Sequence, residues 1–75
     1  MIVRFRNDKH NTEAHATVLK VPHELTPGQQ IAVQQVLCTT PRCLCGIATS
    51  AEDLKTGRPL MLARGRHGRL WIDRE

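Results

Sequence analysis

Hydrophobic and polar residues alternate with a period of two at the start of the chain, and this pattern predicts β-strands. In residues 1–6, the side chains of Met1, Val3 and Phe5 fall on one face of a strand. Residues 14–21 are again β-like and rich in β-branched side chains. Polar, turn-forming residues separate the two segments, so we predict an antiparallel hairpin with a long loop.

An amphipathic helix is predicted after this hairpin. Thr26, Pro27 and Gln29 are the residue types of an N-cap, a first helical position and the third position of a capping box. We expect the helix to end near Cys38. On a helical projection its apolar residues form a stripe that would pack on the sheet. They are Ala32, Val33, Val36 and Leu37.

The C-terminal segment, residues 57–75, has the pattern of a second hairpin. Its two strands carry alternating apolar side chains, and the glycine-bounded residues 65–68 have turn composition. Between the helix and this hairpin, residues 43–49 predict a strand. Ser50 with Asp53 predicts one capped turn of helix.

The predicted element order is therefore β-β-α-β-β-β with a short helical connector. This order indicates an α+β fold in which one helix packs on one face of a small antiparallel sheet. At 75 residues the chain is long enough for a single domain, residues 1–75, and too short for a second one. A core this small leaves little room for an enclosed pocket, so we expect no small-molecule substrate.

Positive charge is concentrated in the C-terminal hairpin. The chain has 11 Lys and Arg residues against 7 Asp and Glu, a formal net charge of +4. From residue 54 onward six basic residues stand against two acidic ones, which accounts for the whole excess. The candidate partner-binding residues are Arg58, Arg64, Arg66, His67, Arg69 and Arg74. Such a hairpin favours acidic protein surfaces or non-specific contact with DNA or RNA, and an ordinary basic surface is the alternative.

The outward face of the predicted helix is a second candidate surface. It carries no charge and is formed by Gln30, Ile31, Gln34 and Gln35. An uncharged helix face is unusual in water and would suit a protein partner. The alternative is that Ile31 is one exposed apolar residue of the ordinary kind.

Three cysteines, Cys38, Cys43 and Cys45, form a C-x4-C-x-C cluster. Their odd number excludes a fully paired set of disulfides within one chain and agrees with a reducing, cytoplasmic compartment. With one of the four histidines they would complete a tetrahedral zinc site, but their spacing differs from the paired C-x2-C of zinc ribbons. Buried free thiols are the alternative.

The sequence favours a binding protein over an enzyme. A nucleophilic cysteine with a histidine base needs a cleft, an oxyanion site and an orienting group, and no sequence pattern indicates them. Nucleotide fingerprints and paired carboxylates are also missing from the sequence. No apolar run approaches the roughly 18 residues that span a bilayer, so we expect no membrane partner.

The C-terminal hairpin resembles that of a known family, the small phage-encoded anti-CRISPR inhibitors of the type I-F (Csy) surveillance complex. The residues that carry the resemblance are Leu60, Leu62, Ala63, Gly68, Arg69, Trp71, Ile72 and Asp73. The element order β-β-α-β-β is also similar. The resemblance implies a compact, non-enzymatic protein that occupies the target-DNA path on the Csy complex and can also attract DNA.

These observations together predict a non-enzymatic binding protein of phage or mobile-element type. It would occlude a protein complex that handles nucleic acid, through its basic hairpin. Two alternatives remain open at the level of sequence: a small zinc-stabilised module that binds nucleic acid directly, and an interaction protein with no nucleic-acid role.

The protein is expected to fold without metal, because the aliphatic faces of the helix and strands form a core unaided. Treatment with a strong chelator should leave its far-ultraviolet circular dichroism unchanged. Loss of the folded signal, together with about one zinc ion per chain by elemental analysis, would instead assign the three cysteines to a structural metal site.

Overall fold

A computed structural model describes residues 1–40 and 47–75 of the chain. Those residues form six β-strands and one α-helix: β1 (Ile2–Asn7), β2 (Thr12–Thr17), β3 (His23–Glu24), α1 (Pro27–Leu37), β4 (Ser50–Asp53), β5 (Pro59–Arg64) and β6 (Leu70–Arg74). Neighbouring strands are antiparallel, in the order β2-β1-β4-β5-β6-β3, and the sheet curls into a half-barrel. The predicted α+β class is confirmed.

The predicted N-terminal hairpin forms, but its second strand is shifted: β2 is Thr12–Thr17 rather than residues 14–21, so the loop is shorter than expected. β1 and β2 pair along their whole length, and Val3 and Phe5 lie opposite Ala16 and Ala14. Val3 and Phe5 are fully buried. Because alanine is small, helix α1 packs close to β2, and the larger side chains of β1 fill the space beside it.

The helix begins with the predicted capping box. The Thr26 Oγ1 accepts a hydrogen bond from the Gln29 N–H at 3.1 Å, and the Gln29 Oε1 accepts one from the Thr26 N–H at 3.1 Å. Two N–H groups at the helix start are thereby satisfied. The helix ends at Leu37 with Cys38 as its C-cap, in agreement with the prediction.

The buried face of the helix differs from the prediction. Val33 and Leu37 are buried, but Ala32 and Val36 of the predicted apolar stripe are exposed. The helix is therefore rotated about its axis from the orientation that its apolar residues predict. Polar side chains must take the remaining positions against the sheet.

Gln29 and Gln30 take those positions and join the helix to both sides of the curled sheet. The Gln29 Nε2 donates to the carbonyl of Thr17, at the end of β2, at 2.9 Å. The Gln30 Oε1 accepts from the N–H of Leu70, at the start of β6, at 3.0 Å. Because these backbone groups need partners, the two glutamines fix the rotation of the helix across the open side of the half-barrel.

The connector before the second hairpin is a strand, and the predicted turn of helix is wrong. β4 places Ala51 between Phe5 of β1 and Leu60 of β5, and Ala51 is buried. The turn comes after β4, where the Asp53 Oδ1 accepts a hydrogen bond from the N–H two residues on, at 2.9 Å. Pairing of the central strand overrides the local capping pattern of Ser50 and Asp53.

Two short segments also differ from the sequence prediction. The strand predicted over residues 43–49 lies mostly outside the described residues, and residues 47–49 are not part of a strand. β3, which the sequence pattern did not indicate, consists of two residues that pair with Trp71 and Ile72 of β6. This short strand extends the sheet beyond β6 just before the helix begins.

The core contains one aromatic residue and is otherwise aliphatic. Its buried hydrophobic residues are Val3, Phe5, Ala14, Val18, Leu25, Val33, Leu37, Ala51, Leu60, Leu70 and Ile72. Asn7 is fully buried beside them, where its Nδ2 donates to the Cys38 Sγ at 3.6 Å and its Oδ1 accepts from the Lys9 N–H at 3.0 Å. Among the described side chains, every buried nitrogen and oxygen has a hydrogen-bond partner.

The substitution Leu37→Ala should lower the free energy of unfolding by about 2–5 kcal/mol, because this side chain is fully buried in the core. The matched substitution Ile31→Ala, at a residue of the same helix that is 57% exposed, should change it by less than about 0.5 kcal/mol. Urea unfolding followed by circular dichroism measures both values. Equal losses in the two variants would mean that the helix packs on a different face.

Candidate partner-binding hairpin

Strands β5 and β6 form the hairpin that the sequence predicts. Arg64 pairs with Leu70 at the end of the two strands. In the turn, the Gly65 N–H donates to the Arg69 carbonyl at 2.7 Å, and the Gly68 N–H donates to the Gly65 carbonyl at 3.0 Å. Gly68 has a φ of +75°, a conformation that glycine adopts without strain. The predicted glycine-bounded turn is confirmed.

The candidate cations lie at two ends of this hairpin. The tip cluster consists of Arg64, Arg66, His67 and Arg69, and the base carries Arg58 and Arg74. Arg58 and Arg64 are six residues apart in the sequence, so at about 3.3 Å per residue the two ends lie about 20 Å apart. The hairpin therefore presents two separate basic groups, and four of the six candidate residues come together at the tip.

The tip cluster makes one ion pair within the described residues. The Arg69 Nη1 lies 3.6 Å from the Glu24 Oε1. A Cβ at Gly65 would lie 3.0 Å from the Glu24 Oε2, so a glycine at this position makes room for the carboxylate. Arg64 and Arg66 are exposed, and no described carboxylate forms an ion pair with either. The tip therefore keeps an excess of positive charge.

The base of the hairpin has a different charge pattern. An open groove of about 560 Å³ lies there, and Arg58 and Arg74 line it together with Asp53 and Glu75. Because positive and negative side chains are both present, the groove lacks the cationic excess of the tip. The tip is the better candidate for binding a polyanion.

The register of β6 places Trp71 on the outer face of the sheet, away from the helix. Its sequence neighbours Leu70 and Ile72 are buried, whereas Trp71 is partly exposed and lies outside the core. On the adjacent strands Ala63 and Glu24 lie opposite it. Strand pairing decides this direction, because the residues on either side of Trp71 are both apolar. Trp71 joins the candidate site next to the tip cluster.

A second group of charged residues lies on the outer face of β1, β2 and β4. The Arg4 Nε donates to the Glu52 Oε1 at 2.7 Å, and the His15 Nε2 lies 3.0 Å from the Glu13 Oε2. The hydrogen bond with His15, followed by the charge of Arg4, lowers the pKa of Glu13. These side chains already have charged partners, so this face is a weaker candidate than the tip.

The second candidate surface, on the helix, stays a prediction. Ile31, Gln34 and Gln35 are exposed. Gln30 does not belong with them, because its side chain faces the sheet and accepts the Leu70 N–H. The exposed Ala32 and Val36 extend this uncharged helix face, and no feature of it indicates a partner.

The predicted metal cluster is only partly within the described residues. Cys38 is partly buried, and its Sγ accepts a hydrogen bond from the Asn7 Nδ2. Cys43 and Cys45 lie outside the described residues. In residues 1–40 and 47–75, no group of three potential ligands has the arrangement of a metal site. The zinc site therefore stays a prediction from sequence.

No protein-family model, curated protein or solved structure matches this chain. Within the part of the chain that the structure describes, no helix is long and apolar enough to cross a membrane. A functional proposal therefore depends on the charge and geometry of the hairpin surface, because no comparison indicates a function.

Proposed function

We propose that this chain is a non-enzymatic binding protein of phage or mobile-element type. It acts in the cytoplasm and occludes a protein complex that handles nucleic acid, through the tip cluster. The observation that carries the proposal is the concentration of three arginines and His67 on one turn, since the only ion pair that these side chains make with a described residue is the one between Arg69 and Glu24.

The chemistry of the tip suits binding to nucleic acid or to an acidic protein surface. Guanidinium groups bind phosphate and carboxylate oxygens through paired hydrogen bonds. An excess of positive charge also speeds encounter with a negatively charged surface. The backbone hydrogen bonds of the turn hold these side chains on a short, ordered loop, which limits the conformational entropy lost on binding.

The resemblance of the hairpin to type I-F anti-CRISPR inhibitors supports the same kind of partner. The residues that carry it are Leu60, Leu62, Ala63, Gly68, Arg69, Trp71, Ile72 and Asp73, so Arg69 belongs both to it and to the tip cluster. A surface that binds DNA would repel a basic tip, whereas the nucleic acid on that surface would attract it. The tip is therefore proposed to interfere at the nucleic acid that a Csy-type complex holds.

A triple variant in which Arg64, Arg66 and Arg69 are each replaced by Glu tests this proposal. The assay measures binding of a target DNA duplex by a purified type I-F (Csy) complex loaded with its guide RNA. The wild-type protein should reduce this binding. The triple variant should need at least about ten-fold more protein for the same reduction, because charge reversal removes the attraction to a polyanion.

The matched control replaces Arg58 and Arg74 by Glu at the base of the same hairpin, and it should inhibit like the wild type. Thermal melting checks that each variant is folded. Exposed positions such as Arg64 and Arg66 should change stability little, whereas replacing Arg69 by Glu also removes its ion pair with Glu24. Inhibition that survives the triple variant would move the binding surface to the helix face around Ile31 and Gln34. If the wild-type protein leaves DNA binding unchanged, the proposed partner is wrong.

A further inference from the structure

We propose that the outer face of the β5–β6 hairpin binds single-stranded nucleic acid, with one unpaired base stacked on Trp71 and neighbouring phosphates on Arg66 and Arg69. This proposal rests on the proposed function, because it uses the same tip cluster. It adds the class of ligand that the cluster meets, and it gives a role to Trp71.

Trp71 lies partly at the surface, opposite a small side chain. It is partly exposed on the face of the sheet opposite to the helix. The residue opposite it on β5 is Ala63, whose methyl group covers little of the neighbouring strand. Single-strand-binding proteins use aromatic rings on a sheet surface as stacking platforms, and each stacked base contributes measurably to affinity whatever its sequence.

Two cations of the tip cluster lie close enough to this ring to bind the same strand. Arg69 directly precedes β6, two residues or about 7 Å from Trp71, and it pairs with Glu24, which lies opposite Trp71 on β3. Arg66 lies in the turn at the same end of the hairpin. Arg64 lies opposite the buried Leu70, so its side chain is on the other face and is not part of this site. A nucleotide whose base stacks on Trp71 therefore has its phosphates near Arg66 and Arg69.

Two carboxylates flank Trp71 on this face. Glu24 forms an ion pair with Arg69, which offsets its charge. Asp73 keeps its negative charge, but it lies two residues beyond Trp71, on the side away from the tip. Arg66 makes no ion pair with a described carboxylate and remains available for a phosphate.

The shape of the face favours a single strand over a duplex. The outer face of a half-barrel is convex, so it does not wrap around a double helix. In a duplex the face of each base is covered by its stacked neighbours, so a duplex would contact the arginines alone. An unpaired strand contacts both Trp71 and the arginines, and it is the kind of segment that nucleic-acid-handling complexes expose.

The chain has a single tryptophan, so its fluorescence reports directly on Trp71. We expect titration with an oligothymidine of about 15 nucleotides at low salt to quench this fluorescence. A duplex with the same number of phosphates should quench it much less. Raising the salt from about 50 to about 200 mM should weaken binding of the oligonucleotide, because phosphate contacts release counterions.

Variants separate stacking from charge, with binding measured by the anisotropy of a labelled oligothymidine. The substitution Trp71→Leu should weaken binding by about five-fold to one-hundred-fold, and Trp71→Phe, which keeps a stacking ring, should lose much less. Replacing Arg66 and Arg69 by Gln should flatten the salt dependence of binding. The control that replaces Arg58 and Arg74 by Gln should retain it. Melting curves confirm that each variant is folded.

Absence of quenching in the wild type, equal binding by the wild type and Trp71→Leu, or a duplex that binds as tightly as the single strand would each overturn this proposal. Its failure is distinguishable from failure of the proposed function. Inhibition of the Csy complex without fluorescence quenching would retain the proposed function and exclude the stacking site. Quenching without inhibition would retain the stacking site and exclude the proposed function.

Discussion

Two glutamine side chains hold helix α1 across the open side of the curled sheet. Gln29 binds the carbonyl of Thr17 at the β2 side, and Gln30 binds the N–H of Leu70 at the β6 side. In a chain of 75 residues the core is only just large enough to offset the conformational entropy of folding. Closure of the half-barrel by the helix is therefore what removes the aliphatic faces of the strands from water. A buried N–H left without its partner would cost about 1–3 kcal/mol, a large fraction of the stability of a small domain.

The same closure positions the proposed binding surface. Leu70 is held from two sides, since its N–H donates to Gln30 and its carbonyl accepts the Leu25 N–H at 2.9 Å. Leu70 follows Arg69 directly, so the tip cluster projects from a fixed point of the fold. Because Leu25 is anchored there, Glu24 lies beside the tip and pairs with Arg69. Residues of the core thus determine the positions of the arginines and Trp71. The proposed binding of nucleic acid therefore depends on core packing several residues away.

Much of the fold follows from local sequence, and the exceptions have a common physical cause. The capping box at Thr26 and the glycine turn of the second hairpin are local signals, and both were predicted. The rotation of the helix was not, because glutamines with long-range backbone partners displaced Ala32 and Val36 from the buried side. The candidate site also combines local signals with long-range ones. The sequence identified the arginines, but only the strand register shows which of them lie at the tip and which at the base of the hairpin. No sequence signal indicated β3, the two-residue strand that brings Glu24 to the tip.

Amide hydrogen exchange at Leu70, compared between the wild type and Gln30→Ala, tests the closure of the half-barrel most directly. In the wild type, the Leu70 N–H should exchange as slowly as the amides of the core strands, because its hydrogen bond opens only when the helix leaves the sheet. In Gln30→Ala it should exchange much faster, while Gln34→Ala, an exposed position of the same helix, should leave it unchanged. Fast exchange of the Leu70 N–H in the wild type, or equal protection in the wild type and Gln30→Ala, would contradict the closure of the sheet by the helix.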